Sequence, residues 1–310
     1  MNSITFTRYA VFGKPVLHSK SPQLFGPILT KGRESYTRIR PQSAEDLAHI
    51  VRLLNIPGAS ITAPFKEEIL LYADEISEDA RAVGAVNCIR YENGKISGHN
   101  TDHYGVTGPL NEAGLILKSA KILVLGAGGA ARAAVYGLTK AGARVSISNR
   151  TEQKARELAK VFDATVIPWN SMHALPWYDA VVSTILPEAI PPDAEKLQYD
   201  MLLDAIYKPS LMTAHSRARG IPVIGGEQWL IHQGVEAAAF YIGKKPSPEL
   251  LASKLSEVPD PDSLRILVLN NESIEQFSQS KHDLVISAFG MDEKTVNQLI
   301  NEEKNLAFGG

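Results

Sequence analysis

Cysteine is almost missing from this chain: Cys88 stands alone among 310 residues. That excludes an intrachain disulfide and fits a reducing compartment. Net charge is nearly missing too, at −2, so no strongly basic or acidic balance points to nucleic acid or a membrane surface as the main partner. Long apolar runs are absent, because Arg132 and Lys140 interrupt the longest candidate well before the ~18 residues of a membrane span. The opening residues, M-N-S-I-T-F-T-R-Y, lack the basic start, apolar core and cleavage site of a secretion signal. The expectation is a cytoplasmic protein. No internal repeat or low-complexity tract is visible. What remains is ordinary globular composition, 44% hydrophobic and 21% charged, in a chain long enough for about two domains of ~150 residues.

Strand and helix signals alternate along the chain. Arg8 to Gly13 reads as a first strand, running into the loop G-K-P-V-L-H-S-K-S-P. A helix is expected near Ser21-Pro22, with Ser as cap and Pro in the first turn. Ser35 to Arg40 follows as a strand, Ala44 to Leu54 as a helix, and Ala59 to Lys66 as a strand delivering its last residues to a loop. Acidic Asp74 to Asp79 opens a helix ending near Gly84, and Val86 to Tyr91 with Lys95 to His99 form a hairpin through Asn93-Gly94. After a helix over Tyr104 to Ala113, five further strands are expected from Arg144 to Ile224, with helices at Glu152 to Val161 and Leu211 to Ala218. One long helical pattern spans Gln228 to Gly243. A linker-like V-P-D-P at Val258 to Pro261 precedes a last strand–helix–strand–helix set. That set is short for an independent core and is expected to dock on the rest of the protein or on a second subunit.

The most informative stretch is K-I-L-V-L-G-A-G-G-A-A-R, Lys121 to Arg132. A short apolar strand ends in Gly126, Ala127, Gly128 and Gly129, and an Ala-rich helix begins at Ala130. Strand, glycine turn and helix hold a pyrophosphate: glycines allow close backbone approach, and the free N–H groups and positive dipole end of the helix face the anion. The second strand of such a unit selects the cofactor. An Asp or Glu there would meet the ribose 2′-hydroxyl of NAD. Here Ser148 is followed by Asn149, Arg150 and Thr151, with Lys154 close behind. Cations without a carboxylate suit a 2′-phosphate, so the reading is NADP.

Other polar residues fall at expected strand ends in the first hundred positions. Ser19 and Ser21 offer two hydroxyls one residue apart, on one side of an extended backbone and suited to a carboxylate, or simply a turn and a helix cap. Thr62 and Lys66 flank Pro64, and Lys66 beside Phe65 is either a solvated charge or a partly desolvated proton carrier. Asn87 sits in the apolar run A-V-N-C-I and needs partners. Asp102, after Gly98 and Asn100, reads on its own as a helix cap. His99 and His103 are four apart, but Gly98 and Asn100 oppose a continuous helix there, and no metal is expected.

Taken in order, G-K-P-V-L-H-S-K-S-P, I-T-A-P-F-K-E-E, V-G-A-V-N, G-H-N-T-D-H-Y-G, G-A-G-G-A-A-R, N-R-T, D-A-I-Y-K-P and W-L-I-H-Q-G resemble the shikimate dehydrogenase family over about residues 8 to 245. The resemblance implies an α/β substrate domain, 1–104, completed by a helix at 227–254. A Rossmann-type doubly wound parallel-sheet NADP domain would occupy 105–226, and 260–310 would be a small βαβα extension of unknown role. It implies reversible NADPH-dependent reduction of 3-dehydroshikimate to shikimate in aromatic amino-acid (chorismate) biosynthesis, by a monomer or homodimer. Lys66 and Asp102 would form the catalytic pair. Ser19 and Ser21 would take the substrate carboxylate; Thr62, Asn87, Tyr207 and Gln233 would bind its other oxygens. Gly126, Ala127, Gly128, Gly129 and Ala130 would cradle the pyrophosphate, and Asn149, Arg150, Thr151 and Lys154 the 2′-phosphate. Ala205 and Gly226 would lie near the nicotinamide, and Glu78 would make a weaker cofactor contact. With substrate groups in one domain and cofactor groups in the other, the site is expected in the cleft between them. Ser60, Ser183-Thr184-Ile185, Gln228-Trp229 and the tail after Pro259 depart from the family pattern. The alternatives are a quinate-type dehydrogenase and a non-catalytic NADP(H)-binding regulatory paralogue.

Overall fold

The computed structural model describes residues 6–171, 177–257, 264–279 and 282–308. The linker expected at Val258 to Pro261 falls outside them. The chain forms two compact units, one comprising Met1–Asn100 with Gly234–Gly310 and the other Thr101–Gln233.

In the first unit the elements are β1 (Thr7–Phe12), α1 (Ser21–Phe25), β2 (Glu34–Arg40), α2 (Ala44–Leu53), β3 (Gly58–Ile61), β4 (Glu75–Ile76), α3 (Glu78–Val83), β5 (Cys88–Glu92) and β6 (Lys95–His99). The second unit follows with α4 (Tyr104–Glu112), β7 (Lys121–Leu125), α5 (Gly129–Lys140), β8 (Arg144–Ser148), α6 (Glu152–Phe162), β9 (Thr165–Val166), β10 (Ala180–Ser183), β11 (Leu202–Asp204), α7 (Leu211–Ala218), β12 (Val223–Ile224) and α8 (Gly226–Ala237). The chain then returns to the first unit through α9 (Pro248–Ala252), β13 (Ile266–Leu269), α10 (Ile274–Gln279), β14 (Leu284–Ser287) and α11 (Glu293–Phe308).

The eight-stranded sheet of the first unit has the order β13-β14-β2-β1-β3-β5-β6-β4. From β13 to β3 all pairings are parallel, while the β5–β6 hairpin joins β3 antiparallel. β1 lies between β2 and β3, so the chain reverses its direction of travel across the sheet there. The carboxyl ends of β1 and β3 flank that switch point, the place where open α/β sheets bind ligands. The last fifty residues thus dock by strand addition: β14 lies along β2, in the register Leu284↔Arg38, Val285↔Ile39 and Ile286↔Arg40. Leu267, Leu269, Phe277 and Val285 share one apolar core with Ile39, Leu47 and Ile50. A short βαβα set cannot bury its own apolar faces; laid on β2 it does so and covers an edge that would otherwise be open.

The second unit has the order β12-β11-β10-β7-β8-β9, all parallel. Counted from β7, this is the 3-2-1-4-5-6 arrangement of a Rossmann sheet. Its switch point falls between β7 and β10, with the glycine turn on one side and Ser183-Thr184 on the other. α5 packs closely because its inner face is built of small residues, among them Ala131, Ala134 and Gly137.

Two local expectations are corrected and a third is refined. Ser21 is the first helical residue of α1 and not its cap; Lys20 holds that position without a side-chain bond. Asp74 does not open a helix: its carboxylate accepts from the Ile96 N–H at 2.7 Å and pairs with Arg52 at 3.2 Å, which fixes β4 beside β6. α3 therefore starts at Glu78, four residues later, capped by Ser77. The helix expected over Gln228 to Gly243 forms, but its last turn, Ala238–Ile242, winds as a π turn. That turn lays Tyr241 against Gly58, where an added Cβ would stand 2.5 Å from the Tyr241 Cβ.

Candidate active site

Within the first unit, Thr62, Lys66 and Asn87 are gathered by backbone geometry at the carboxyl end of β3, and the loop after β1 that carries Ser19 starts beside them. The Thr62 N–H donates to the Phe12 carbonyl at 2.8 Å and the Lys14 N–H to the Ala63 carbonyl at 3.0 Å, which ties the two loops side by side. Gly13 is required at this crossing, since a Cβ there would meet the Thr62 Cγ2 at 2.4 Å. The Ile61 N–H donates to the Asn87 carbonyl at 2.7 Å, and the Val86 N–H to the Lys66 carbonyl at 2.7 Å. Thus Lys66 and Asn87 are held against the end of β3. Asn87 is buried and precedes β5 directly, while Lys66 and Thr62 are half-buried.

The two serine hydroxyls do come together, 3.1 Å apart. The reason differs from the extended backbone expected: Lys20 has φ −84° and ψ 4°, a turn conformation. Beneath this loop lies a set of buried charges that the sequence reading missed. Arg38 donates through Nε and Nη2 to the Ser19 carbonyl at 2.9 and 2.7 Å, and to the Gln23 side chain at 3.0 Å. Burial pulls the Arg38 pKa down to about 10, partly offset by Asp283, so it stays cationic at neutral pH. Glu303 of α11, fully buried, accepts from the Val16 and Leu17 N–H groups at 2.9 and 2.8 Å and from Arg40 at 2.9 Å. In β2 the R-I-R alternation was the available signal. Glu303 carried none, sitting in a helix whose Glu293, Lys294 and Glu302 are exposed.

The departure at Ser60 is absorbed locally. The Tyr36 hydroxyl donates to the Ser60 Oγ at 3.0 Å, and the Tyr241 hydroxyl lies 2.8 Å from Tyr36 and 3.1 Å from Ser60. Burial raises the pKa of both tyrosines above the ordinary range, so this cluster stays neutral. Glu78, offered as a cofactor contact, is the exposed first residue of α3, where with Asp79 it complements the helix dipole.

In the second unit, Gly126 takes φ +113°, and a Cβ there would lie 2.3 Å from the Thr184 Oγ1. Thr184 in turn donates to the Leu125 carbonyl through both its N–H (2.9 Å) and its hydroxyl (2.8 Å). This is what the Ser183-Thr184-Ile185 departure builds: a hydroxyl clamp behind the turn. Beyond it, Gly128, Gly129 and Ala130 are exposed. A Cβ on Gly128 or Gly129 would meet nothing within 4 Å, and the amino end of α5 has no side-chain cap. Open amides at a helix amino end fit a pyrophosphate. After β8, the Asn149 side chain donates to the Thr151 carbonyl at 2.8 Å and shapes the turn. Arg150, Thr151 and Lys154 are exposed. The nearby carboxylate of Glu152 is paired with Arg156, leaving cationic side chains that fit a 2′-phosphate.

Asp102 is buried in the second unit one residue ahead of His103, the cap position of α4. Gly137 permits this placement: a Cβ on it would stand 2.9 Å from the His103 Cβ. Tyr207 is brought into electrostatic range of Asp102. Its pKa is pushed up to about 12, first by desolvation and then by the Asp102 and Glu227 carboxylates, although its ring is 54% exposed. The loop bearing it is tied down by buried Asp204, which accepts from the hydroxyls of Ser210 and, at 2.9 Å, Thr213. Ala205 and Gly226 meet backbone to backbone, with a Gly226 Cβ only 2.6 Å from the Ala205 carbonyl oxygen. Together with Tyr207 and Gln228, Gly226 lines a cavity of about 410 Å³. Trp229 turns away into the apolar core and packs on Gly105. Gln233 is half-buried at the end of this unit. No metal-holding group of three or more His, Cys, Asp or Glu occurs among the described residues, and none of their helices is long and apolar enough to cross a membrane.

A Rossmann-ordered unit with an open glycine turn, joined to a second α/β unit carrying a lysine and hydroxyls at its switch point, defines a two-unit α/β protein of the dinucleotide-binding class. The comparisons are more specific. A family model for the shikimate dehydrogenase substrate binding domain matches residues 11–89, and one for shikimate / quinate 5-dehydrogenase matches residues 111–199. NADP(+) shikimate dehydrogenase of Aquifex aeolicus is 33% identical over 245 residues, covering 76% of this chain and 91% of that protein. The enzyme of the same name from Maridesulfovibrio salexigens is 34% identical over 265 residues, covering 80% and 97%. The chain belongs to the shikimate dehydrogenase family. Among solved structures, Thermus thermophilus shikimate 5-dehydrogenase in complex with NADP(H) and shikimate superposes with a TM-score of 0.72 at 31% identity, covering 81% of this chain and 98% of that one. The Aquifex aeolicus enzyme gives 0.74 at 30% identity, covering 83% and 100%. Nearly all of each relative is matched while about a fifth of this chain is not.

Proposed function

We propose that this protein catalyses the reversible, NADP-dependent interconversion of shikimate and 3-dehydroshikimate. The observation that carries the reading is that Thr62, Lys66 and Asn87 meet at the end of β3, beside the loop that pairs the Ser19 and Ser21 hydroxyls, in a chain whose other unit has an open glycine turn followed by Asn149 and Arg150. NADP, when bound, supplies the hydride acceptor or donor. Hydride transfer leaves the alcohol proton to be moved separately, and Lys66 passes it to or from the reacting oxygen through Nζ. Asp102 orients the substrate and keeps Lys66 in position. The Ser19 and Ser21 hydroxyls donate to the substrate carboxylate, and Thr62, Asn87, Tyr207 and Gln233 bind the ring oxygens. Several directed bonds of this kind reject an analogue that lacks one hydroxyl. Gly126 to Ala130 hold the pyrophosphate, Ala205 and Gly226 bring backbone to the nicotinamide, and Asn149, Arg150, Thr151 and Lys154 hold the 2′-phosphate, with Glu78 as a minor contact. The enzyme works in the cytoplasm, where buried Cys88 stays reduced, as a monomer or homodimer.

The test is nicotinamide absorbance with purified protein, offering shikimate or quinate with NADP⁺ or NAD⁺. Shikimate with NADP⁺ should be the fastest pair. Faster quinate oxidation would reassign the substrate, and tight NADP⁺ binding with no turnover on any pair would make the protein a binding paralogue.

A further inference from the structure

The relatives reach their full length without about a fifth of this chain, yet α11 sends one fully buried carboxylate back to the loop that carries Ser19 and Ser21. We propose that the C-terminal extension is a positioning element for that loop, and that Glu303 is its positioning residue; this rests on the assignment of Ser19 and Ser21 to the substrate carboxylate. Glu303 Oε2 accepts from the Val16 and Leu17 N–H groups at 2.9 and 2.8 Å, and Oε1 accepts from Arg40 at 2.9 Å. Both oxygens are engaged, so the carboxylate has one orientation. Val16 is itself tied onward, since its carbonyl accepts from the Ser19 N–H at 2.9 Å. From below, Arg38 holds the Ser19 carbonyl. The loop is therefore pinned at Val16 and Leu17 by α11 and at Ser19 by β2. Without the Glu303 carboxylate, the two amides would lose their acceptor and Arg40 would be buried without its partner.

The arrangement also settles the charge. A carboxylate beneath an anion-binding loop would oppose the anion, but Glu303 is paired with Arg40, and it is the Arg38 guanidinium that lies next to the Ser19 carbonyl. An extension that held the same loop with a lysine would lack acceptors for the two N–H groups. A carboxylate paired to a buried arginine satisfies both requirements.

The experiment uses the full chain as Glu303→Gln, which keeps the shape, with Glu303→Asp as the conservative rescue and Glu302→Ala as a control that touches only the exposed arm of Arg40. Hydrogen exchange at Val16 and Leu17 and steady-state kinetics are read together. In Glu303→Gln the two amides should exchange about ten-fold faster or more, and the shikimate KM should rise about ten-fold. The NADP⁺ KM and kcat should stay within two-fold, Glu303→Asp should recover part of the loss, and Glu302→Ala should match wild type. Unchanged exchange, or both KM values rising together, would overturn the proposal. A wild-type enzyme inactive on shikimate would remove the functional reading alone, and exchange would then judge the anchor by itself.

Discussion

The two units each present a candidate anion site, and the two are built in opposite ways. In the first, the candidate carboxylate site is made of side chains, the Ser19 and Ser21 hydroxyls, on a turn secured by buried Arg38, Arg40 and Glu303. In the second, the candidate pyrophosphate site is made of backbone, the amides after Gly126, secured by the Thr184 hydroxyl behind and by nothing in front. Side-chain sites choose shape and chemistry and lose affinity when one group is removed. Backbone sites are tolerant of side-chain identity but intolerant of a Cβ where the turn is tight. Glu303 shows the further cost of the first design: breaking a buried pair from one side costs about 3–5 kcal/mol, so the anchor cannot be trimmed without consequence.

The contrast can be sharpened by substitutions that hit one design and spare the other. Among these, Ser19→Ala with Ser21→Ala comes first, raising the shikimate KM by about 100-fold or more while the NADP⁺ KM holds, since each hydrogen bond to a charged group is worth about 1.5–3 kcal/mol. Steady-state kinetics with each substrate varied in turn would check it. Next, Gly126→Ala forces a side chain to φ +113° and against Thr184, and should lower thermal stability by about 2–5 kcal/mol. Gly128→Ala, where the added carbon meets nothing, should leave the melting temperature alone and weaken only NADP⁺. Calorimetric melting of both variants tests the difference. Arg150→Ala should raise the NADP⁺ KM about ten-fold and the NAD⁺ KM less than two-fold; equal losses would break the 2′-phosphate assignment.

The smallest effect concerns pH and the extension. Desolvation pushes the Asp283 pKa up, but hydrogen bonds from the Arg265 side chain and N–H outweigh it and hold the value below normal. A lowered folded pKa adds stability above the unfolded value, about 3.9, and that stability disappears as the pH falls through the folded value. Both groups are partly exposed, so the contribution should stay under about 1 kcal/mol. Melting of wild type and Asp283→Asn should converge below pH 4 and separate slightly above it.

Much of this was legible from residues whose chemistry is local. The turn after Leu125 follows from its glycines, and the Lys66 and Asn87 segments from polar residues ending apolar runs. The R-I-R of β2 was visible but unreadable, because its meaning depends on α11, more than 250 positions away. Glu303 resembles any helix-surface acid until strand addition buries it. The Ser19–Ser21 pairing was anticipated for the wrong backbone reason, and the packing of Trp229 on Gly105 depends on a contact across more than a hundred positions.

The most direct measurement compares wild type with Lys66→Ala for NADP⁺ reduction by shikimate, alongside calorimetric binding of shikimate to both. Wild type should turn over, and the variant should be slower by about 10²–10⁴-fold with shikimate affinity within a few-fold. Equal turnover by the variant would contradict the account.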